Sequence, residues 1–403
     1  MIAEKKKKTK KWTTPRHQVV RYVLYPLIVF LVWVLYGFKV TKFKEENNRQ
    51  YLILSNHQTG FDQFYPSAAF RRPIYYLASE DIFSMGFLSK IIIWLQNPIP
   101  IKKQVTDIKA VMNCMRVAKE GGNIGIFPEG NRTFSGETAY INPAIGGLAK
   151  KLGLPIAFFK IEGGYGVQPR WSDVRRWGKM KAYVSSVLEP EEYKDWTNDQ
   201  LYQYICKALY QNEANSQGKF RHKRSAEFVE RVLYVCPDCG VTHFESHGDT
   251  VTCTSCGKKA KYLPNKEFSG DFPFTYMLDW YKYQQDYVNK LDPRSMTEQP
   301  IIRDKCSLYQ VSLYSKKQLI AENVELTLYG DRIEMSGSFQ DVFHFGETEN
   351  ITILGKNKLN VYRADMVYQI QSDKRFNALK YLNFFHRYKN LTAENNDTGF
   401  LGL

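Results

Sequence analysis

Seventeen consecutive residues, Tyr22 to Phe38, carry no charge, and lysines and arginines crowd both ends of the run. That is about the shortest stretch able to cross a bilayer, for which roughly 17–25 residues are needed. Lys5–Lys8, Lys10, Lys11, Arg16 and Arg21 precede it, and Lys39, Lys42 and Lys44 follow. Tyr22, Tyr25, Trp33 and Tyr36 lie near its ends or along it, as interfacial aromatics do. Tyr36-Gly37-Phe38-Lys39 offers no small-residue cleavage site, which argues against a removable signal peptide. A single spanning helix would set positive charge on both sides of the membrane. A shallow or re-entrant anchor broken at Pro26 keeps both basic flanks on one face and is the favoured expectation. A buried core helix fits the flanking lysines less well.

Charge supports a membrane partner. The chain carries 56 Lys and Arg against 41 Asp and Glu, with a sequence pI near 9.2. Twelve of those cations, opposed by only Glu4, Glu45 and Glu46, fall within the first fifty residues. A basic excess seeks an anionic partner. Its concentration beside the apolar run favours anionic headgroups, at about 1 kcal/mol per Lys or Arg, over nucleic acid. The expected site of action is the cytoplasmic membrane face.

Beyond this basic anchoring segment (1–45), residues 46–225 alternate short apolar runs with amphipathic ones, which predicts an α/β domain around a mixed sheet. The expected strands are Tyr51–Ser55, Ile74–Ala78, Asn123–Phe127, Pro155–Ile161 and Lys181–Leu188. The expected helices are Phe61–Phe70, Ile82–Leu95, Asp107–Lys119, Pro143–Lys151 and Asn198–Ala214. Ile82–Leu95 is apolar enough to line an acyl tunnel, dip into lipid or simply pack in a core. Residues 215–230 are polar and read as a connection, 263–300 as a helical linker with a helix over Phe274–Lys290, and 301–392 as alternating strands ended by a helix over Arg375–Lys389.

Two loops carry the chemistry. In Ser55-Asn56-His57-Gln58-Thr59-Gly60-Phe61-Asp62, at a strand end, a turn at Gly60 lets Asp62 reach one imidazole nitrogen of His57. That contact fixes the tautomer and leaves the other nitrogen to take a proton from a hydroxyl. No Ser or Cys stands in the pattern as nucleophile, so direct attack by a substrate hydroxyl is expected. In Phe127-Pro128-Glu129-Gly130-Asn131-Arg132, after a second strand, Arg132 offers a planar fork suited to phosphate and Gly130 permits close backbone approach. Glu129 is placed to hold Arg132 or to accept from a substrate hydroxyl. A surface ion pair after a turn is the plainer alternative.

Together these motifs resemble the glycerolipid acyltransferase family, whose best-known members make phosphatidate from lysophosphatidate. His57-x4-Asp62 is followed about seventy residues later by Phe-Pro-Glu-Gly-x-Arg, in the family's order. Ile99-Pro100-Ile101-Lys102-Lys103 occupies the place of its second block, which usually ends in a basic residue, and Leu154-Pro155-Ile156 looks like its fourth. The resemblance covers roughly 45–215. It implies transfer of an acyl chain from a thioester of coenzyme A or acyl carrier protein to a lysophospholipid hydroxyl. His57 and Asp62 would be catalytic, and Glu129, Gly130, Arg132 and Lys102 would bind substrate. Lysophosphatidate is the leading acceptor; another lysolipid, dihydroxyacetone phosphate or a glycolipid fits the same chemistry. The non-enzyme alternative is a membrane-anchored scaffold, against which the intact set of four site residues argues.

Cys236-x-x-Cys239 and Cys253-x-x-Cys256, separated by thirteen residues and each followed by Gly, predict a zinc ribbon over 231–262. Four thiolates leave no open position, so the zinc is expected to be structural. Cys114, Cys206 and Cys306 read as small buried hydrophobes. The C-terminal strands and helix suggest an α+β domain of pleckstrin-homology type, and that domain or the ribbon is a candidate protein-binding surface.

Overall fold

The computed structural model describes residues 11–46, 49–101, 107–312, 317–364 and 366–392, the side chains of 80 and 81 excepted. Helix α1 spans Pro15–Tyr36. Proline at its first turn is preset for a helix, and Gly37, with φ 59°, ends it by donating to the Trp33 carbonyl at 2.7 Å. The expected break at Pro26 does not occur: the helix runs through it. Proline there removes only the bond to the carbonyl of Tyr22, which stands on the exposed face. Among the described helices α1 alone is long and apolar enough to cross a membrane. One face of it is nevertheless fastened to the α/β domain along its length. Just before it Trp12 Nε1 donates to the Asn97 carbonyl at 2.8 Å; His17 Nδ1 shares a hydrogen bond with the Tyr75 hydroxyl at 3.0 Å; at its end Tyr36 donates to Gln168 Oε1 at 3.0 Å. The other face bares Val19, Val23, Leu27, Phe30, Leu31 and Val34.

The α/β sheet contains β1 (Phe38–Val40), β2 (Leu52–Ser55), β3 (Ile74–Ser79), β4 (Ile99–Ile101), β5 (Asn123–Ile126), β6 (Ile156–Glu162) and β7 (Met180–Leu188), in the order β1-β7-β6-β2-β5-β3-β4. Every pairing is parallel except β6 with β7. Central strand β2 is buried on both faces, as parallel strands are. Leu52 and Leu54 pack with α5 (Ile108–Lys119), α6 (Ala144–Leu152) and α9 (Asn198–Leu209); Ile53 packs with α2 (Phe64–Ala69) and the end of α1.

The expected helix Ile82–Leu95 divides into α3 (Glu80–Phe83) and α4 (Phe87–Gln96), because Gly86 takes φ 65°. Phe87, Leu88, Ile91 and Trp94 of α4 are exposed, so most of this helix is not core. Helix α9 stops at Leu209, short of the expected Ala214, where Gln211 turns in to serve Asn56, Thr138 and the Ile161 carbonyl. Two short turns, α7 (Gly164–Val167) and α8 (Pro190–Tyr193), complete the domain.

Past it, β8 (Val235–Cys236) pairs with β9 (Gly240–Val241), and β10 (Phe244–His247), β11 (Thr250–Cys253), β12 (Lys259–Tyr262) and β13 (Phe268–Gly270) form an antiparallel sheet. Helix α10 (Met277–Asn289) follows. A curled antiparallel sheet then runs β17-β16-β15-β14-β20-β19-β18, built from β14 (Ile302–Val311), β15 (Gln318–Leu328), β16 (Arg332–Gly337), β17 (Asp341–His344), β18 (Asn350–Leu354), β19 (Lys358–Arg363) and β20 (Met366–Gln371), with α11 (Leu379–Thr392) packed into it.

One apolar core unites all of this with Phe134, Tyr165 and Trp171 of the α/β domain. Residues 226 and 229–236 are buried in it. Trp280 of α10 sits at its centre with no exposed surface. Its ring contacts those of Phe244, Phe268, Phe272 and Phe274, and its Nε1 donates to the Val235 carbonyl at 2.9 Å. Trp280→Ala is expected to cost about 3–5 kcal/mol, read as a lowered urea midpoint.

Candidate active site

Strands β2 and β5 lie side by side in parallel, with Leu54 opposite Ile126, so the loops that follow them leave the same edge of the sheet. Loops at the carboxyl ends of such strands are where α/β sheets place ligands. The first holds His57 to Asp62 and the second Phe127 to Arg132, and the structure brings them together. The His57 backbone N–H donates to Glu129 Oε1 at 2.7 Å, and the Thr133 N–H points back to the His57 carbonyl at 3.4 Å. The imidazole stacks on Phe127, with ring centroids 4.5 Å apart. Phe127 in turn stacks on Tyr76. That ring lies where β5 has Gly125, whose absent Cβ would meet it at 2.5 Å.

Asp62 has no exposed surface. One of its oxygens sits 2.8 Å from His57 Nδ1. The carboxylate also accepts from the Gln58 and Thr59 backbone N–H groups and, at 2.6 Å, from the Thr59 hydroxyl. A carboxylate held by so many donors cannot swing, so the ring it touches is held too. Neighbours on both sides fix the loop. Asn56 exchanges two hydrogen bonds with the Ile161 backbone at 2.8 and 2.9 Å, and Gln58 Oε1 accepts from the Tyr165 N–H at 3.0 Å.

Glu129 is not paired with Arg132. Its two oxygens accept from the backbone N–H groups of His57 and Ala139, at 2.7 and 2.8 Å. It is a strut between loops. Burial pushes its carboxyl up to about 8, against those two donors. Gly130 is exposed and takes φ +66°, a conformation that suits glycine. Arg132 is half-buried, and no carboxylate among the described residues makes an ion pair with it. Burial lowers its pKa, while Asp62, Tyr36 and Asp173 are near enough to oppose that. Lys102 lies outside the described residues. Sequence reasoning passed over Asn56, Gln58 and Arg170; the first two flank His57, but nothing local singles out Arg170, which donates to the Arg132 carbonyl at 3.0 Å. A cavity of about 140 Å³ is lined by Asn131–Ser135, Arg170 and, from α10, Tyr281 and Lys282.

The four cysteines also converge, with sulfurs all within 4.8 Å of one another. Cys236 and Cys256 are 3.8 Å apart and Cys239 and Cys253 3.9 Å. Tetrahedral Zn–S bonds of ≈ 2.3 Å imply S···S separations of about 3.8 Å, so the set fits such an ion. Gly240 and Gly257, at φ 72° and 75°, turn the chain after each pair.

Glu129 sets a pH signature. A carboxyl whose folded pKa is raised contributes stability that is complete below its ordinary 4.5 and is lost as pH rises through about 8. Denaturation midpoints across that window should fall in the native protein, and Glu129→Gln should flatten this component of the slope. An unchanged slope would contradict the assignment.

Residues 38–160 match the acyltransferase family model. No curated protein matches the chain. Among solved structures, the crystal structure of the 1-acyl-sn-glycerophosphate acyltransferase PlsC from Thermotoga maritima is similar at 19% identity and a TM-score of 0.41, over 49% of this chain and 80% of that one. The matched segment holds β1 to β5, both loops and the His57–Asp62 pair, and the chain therefore carries a domain of the acyltransferase family.

Proposed function

We propose that this protein transfers an acyl chain from a thioester to the hydroxyl of a lysophospholipid, with lysophosphatidate as acceptor, at an anionic membrane surface. The observation that carries the reading is the 2.8 Å contact between His57 Nδ1 and the fully buried Asp62. It presents Nε2 as the base. His57 removes the proton of the acceptor hydroxyl, and the oxygen attacks the thioester carbonyl. The tetrahedral adduct then expels the thiolate, which takes the proton from the imidazolium that Asp62 stabilises. Glu129 positions His57 through its backbone. Arg132, with Lys102 and the Gly130 backbone, binds the acceptor phosphate. The donor is a thioester of coenzyme A or of acyl carrier protein.

The exposed apolar faces of α1 and α4 are read as the membrane-contacting surface. Because α1 is fastened along the domain from Trp12 to Tyr36, it is proposed to lie in the interface, with its basic flanks on the headgroups. Cys236, Cys239, Cys253 and Cys256 are proposed to hold a zinc ion that fixes the ribbon and takes no part in transfer. The C-terminal sheet and α11 are proposed to be of pleckstrin-homology type, on their strand order and closing helix.

His57→Ala should lower kcat/KM for acyl transfer by about 10²–10⁴-fold with an unchanged melting temperature, measured with a lysophosphatidate acceptor and both donor classes. Transfer at the native rate would sink the mechanism. Elemental analysis of purified protein should find zinc, and Cys236→Ser should lose it and melt lower; absence of metal from the native protein would refute the site.

A further inference from the structure

The turn between β18 and β19, Gly355 to Asn357, comes from the C-terminal sheet but lies against the Arg132 loop. One side chain joins the two. Arg170 is fully buried, and its guanidinium donates to three backbone carbonyls: Nε to Gly355 at 2.7 Å, Nη2 to Ile353 at 3.0 Å and Nη1 to Arg132 at 3.0 Å. It also stacks over the Phe134 ring at 4.0 Å. A single planar group of fixed geometry thus sets the spacing between the turn and the loop.

Lys356, the next residue of that turn, makes an ion pair with Asp173. Asp173 is also gripped by Arg231, through contacts of 3.0 and 2.8 Å. Four cations are therefore gathered here, Arg132, Arg170, Arg231 and Lys356, and the nearby carboxylates are Asp173 and Asp62. Asp62 is engaged with His57 and the backbone N–H groups around it. Even with both carboxylates counted, two positive charges are left over. Clustered cations removed from water are costly unless an anion answers them. A phosphate monoester carries about −1.5 to −2 charge near neutral pH, which matches the deficit. The ammonium of Lys356 is held below its ordinary value chiefly by burial, with Arg132 and Arg231 adding to the effect against the pull of Asp173.

We propose that Lys356 is a second cation of the acceptor-phosphate site, delivered by the C-terminal sheet and set beside Arg132 by Arg170 and Asp173. The inference rests on the anionic acceptor proposed above and adds that the acyltransferase domain does not hold the headgroup alone.

The test separates binding from turnover. Full-length protein in detergent is titrated with sn-glycerol 3-phosphate by calorimetry, and acyl transfer is measured to lysophosphatidate and to uncharged monoacylglycerol. Lys356→Gln should weaken glycerol 3-phosphate at least tenfold and raise the KM for lysophosphatidate by a similar factor, with kcat within about twofold and monoacylglycerol unaffected. Lys356→Arg should restore binding to within about threefold, and melting temperatures would show that both variants fold. Unchanged affinity in Lys356→Gln, an equal loss with the uncharged acceptor, or no binding by the native protein would overturn the proposal. Binding that depends on Lys356 in a protein that transfers no acyl chain would overturn the proposed function and leave the anion site standing. Transfer that is indifferent to Lys356 would do the reverse.

Discussion

A carboxylate with no exposed surface, Asp62, holds the loops at the carboxyl ends of β2 and β5 in order. Its oxygens accept from Gln58, Thr59 and His57 together, so the turn after β2, the ring and the acid form one hydrogen-bonded unit. Burying a charge in this way is tolerable only where donors replace water. The motif supplies those donors within five residues, from a turn whose Asn56 and Gln58 side chains are bonded into β6 and the turn after it. The ring's other support comes from the second loop: Phe127 stacks on it and Glu129 binds its backbone. The two sequence motifs are halves of one mechanical object, which is why neither means much alone.

What could be read from sequence was local. His57 and Asp62 are five residues apart, and their contact follows from a turn. The cysteine pairs declare a common centre by their spacing, and the strands of the α/β sheet declare themselves by apolar runs. The expectations failed where a distant residue decides the local outcome. Helix α9 ends early because Gln211 is needed at Asn56 and Thr138. Glu129, which charge alone would pair with Arg132, is claimed by two backbone donors. The polar composition around 215–230 conceals Ala226, Val229 and Val232, which are fully buried in the shared core. Arg170 lies more than 180 residues from the carbonyls of Ile353 and Gly355 that it binds, a distance at which no pattern in one sequence speaks.

The appended region is joined to the α/β domain by the same kind of long-range contact. If the ribbon, α10 and the C-terminal sheet were tethered modules, they would have their own cores and a polar seam toward the α/β domain. Instead one apolar cluster runs from Phe134 through Trp280 to Phe385. Buried polar groups stitch the boundary as well. Arg231 reaches the Trp171 carbonyl and Asp173, and Lys266 donates to Ser216 at 2.6 Å and to the Glu213 carbonyl. Removing either partner of such contacts leaves an unanswered buried group, which costs more than the contact gains. The appended region is therefore part of the wall behind the Arg132 loop.

This arrangement also separates the exposed apolar surface from the cationic loop. Helix α1 covers one side of the sheet and bares apolar residues outward, and α4 adds Phe87, Leu88, Ile91 and Trp94 to the exposed apolar surface. The C-terminal region instead touches the domain through Phe134, Tyr165, Trp171 and Arg170, residues of the loops that follow β5 and β6. A lipid acceptor requires both environments, an apolar one for its chain and a cationic one for its headgroup. Under the proposed function, the first would come from the exposed faces of α1 and α4 and the second from the loop that the C-terminal sheet braces. His57, 22% exposed, is held between Asp62 and Phe127, and its loop is bonded to the Arg132 loop through Glu129 and Thr133.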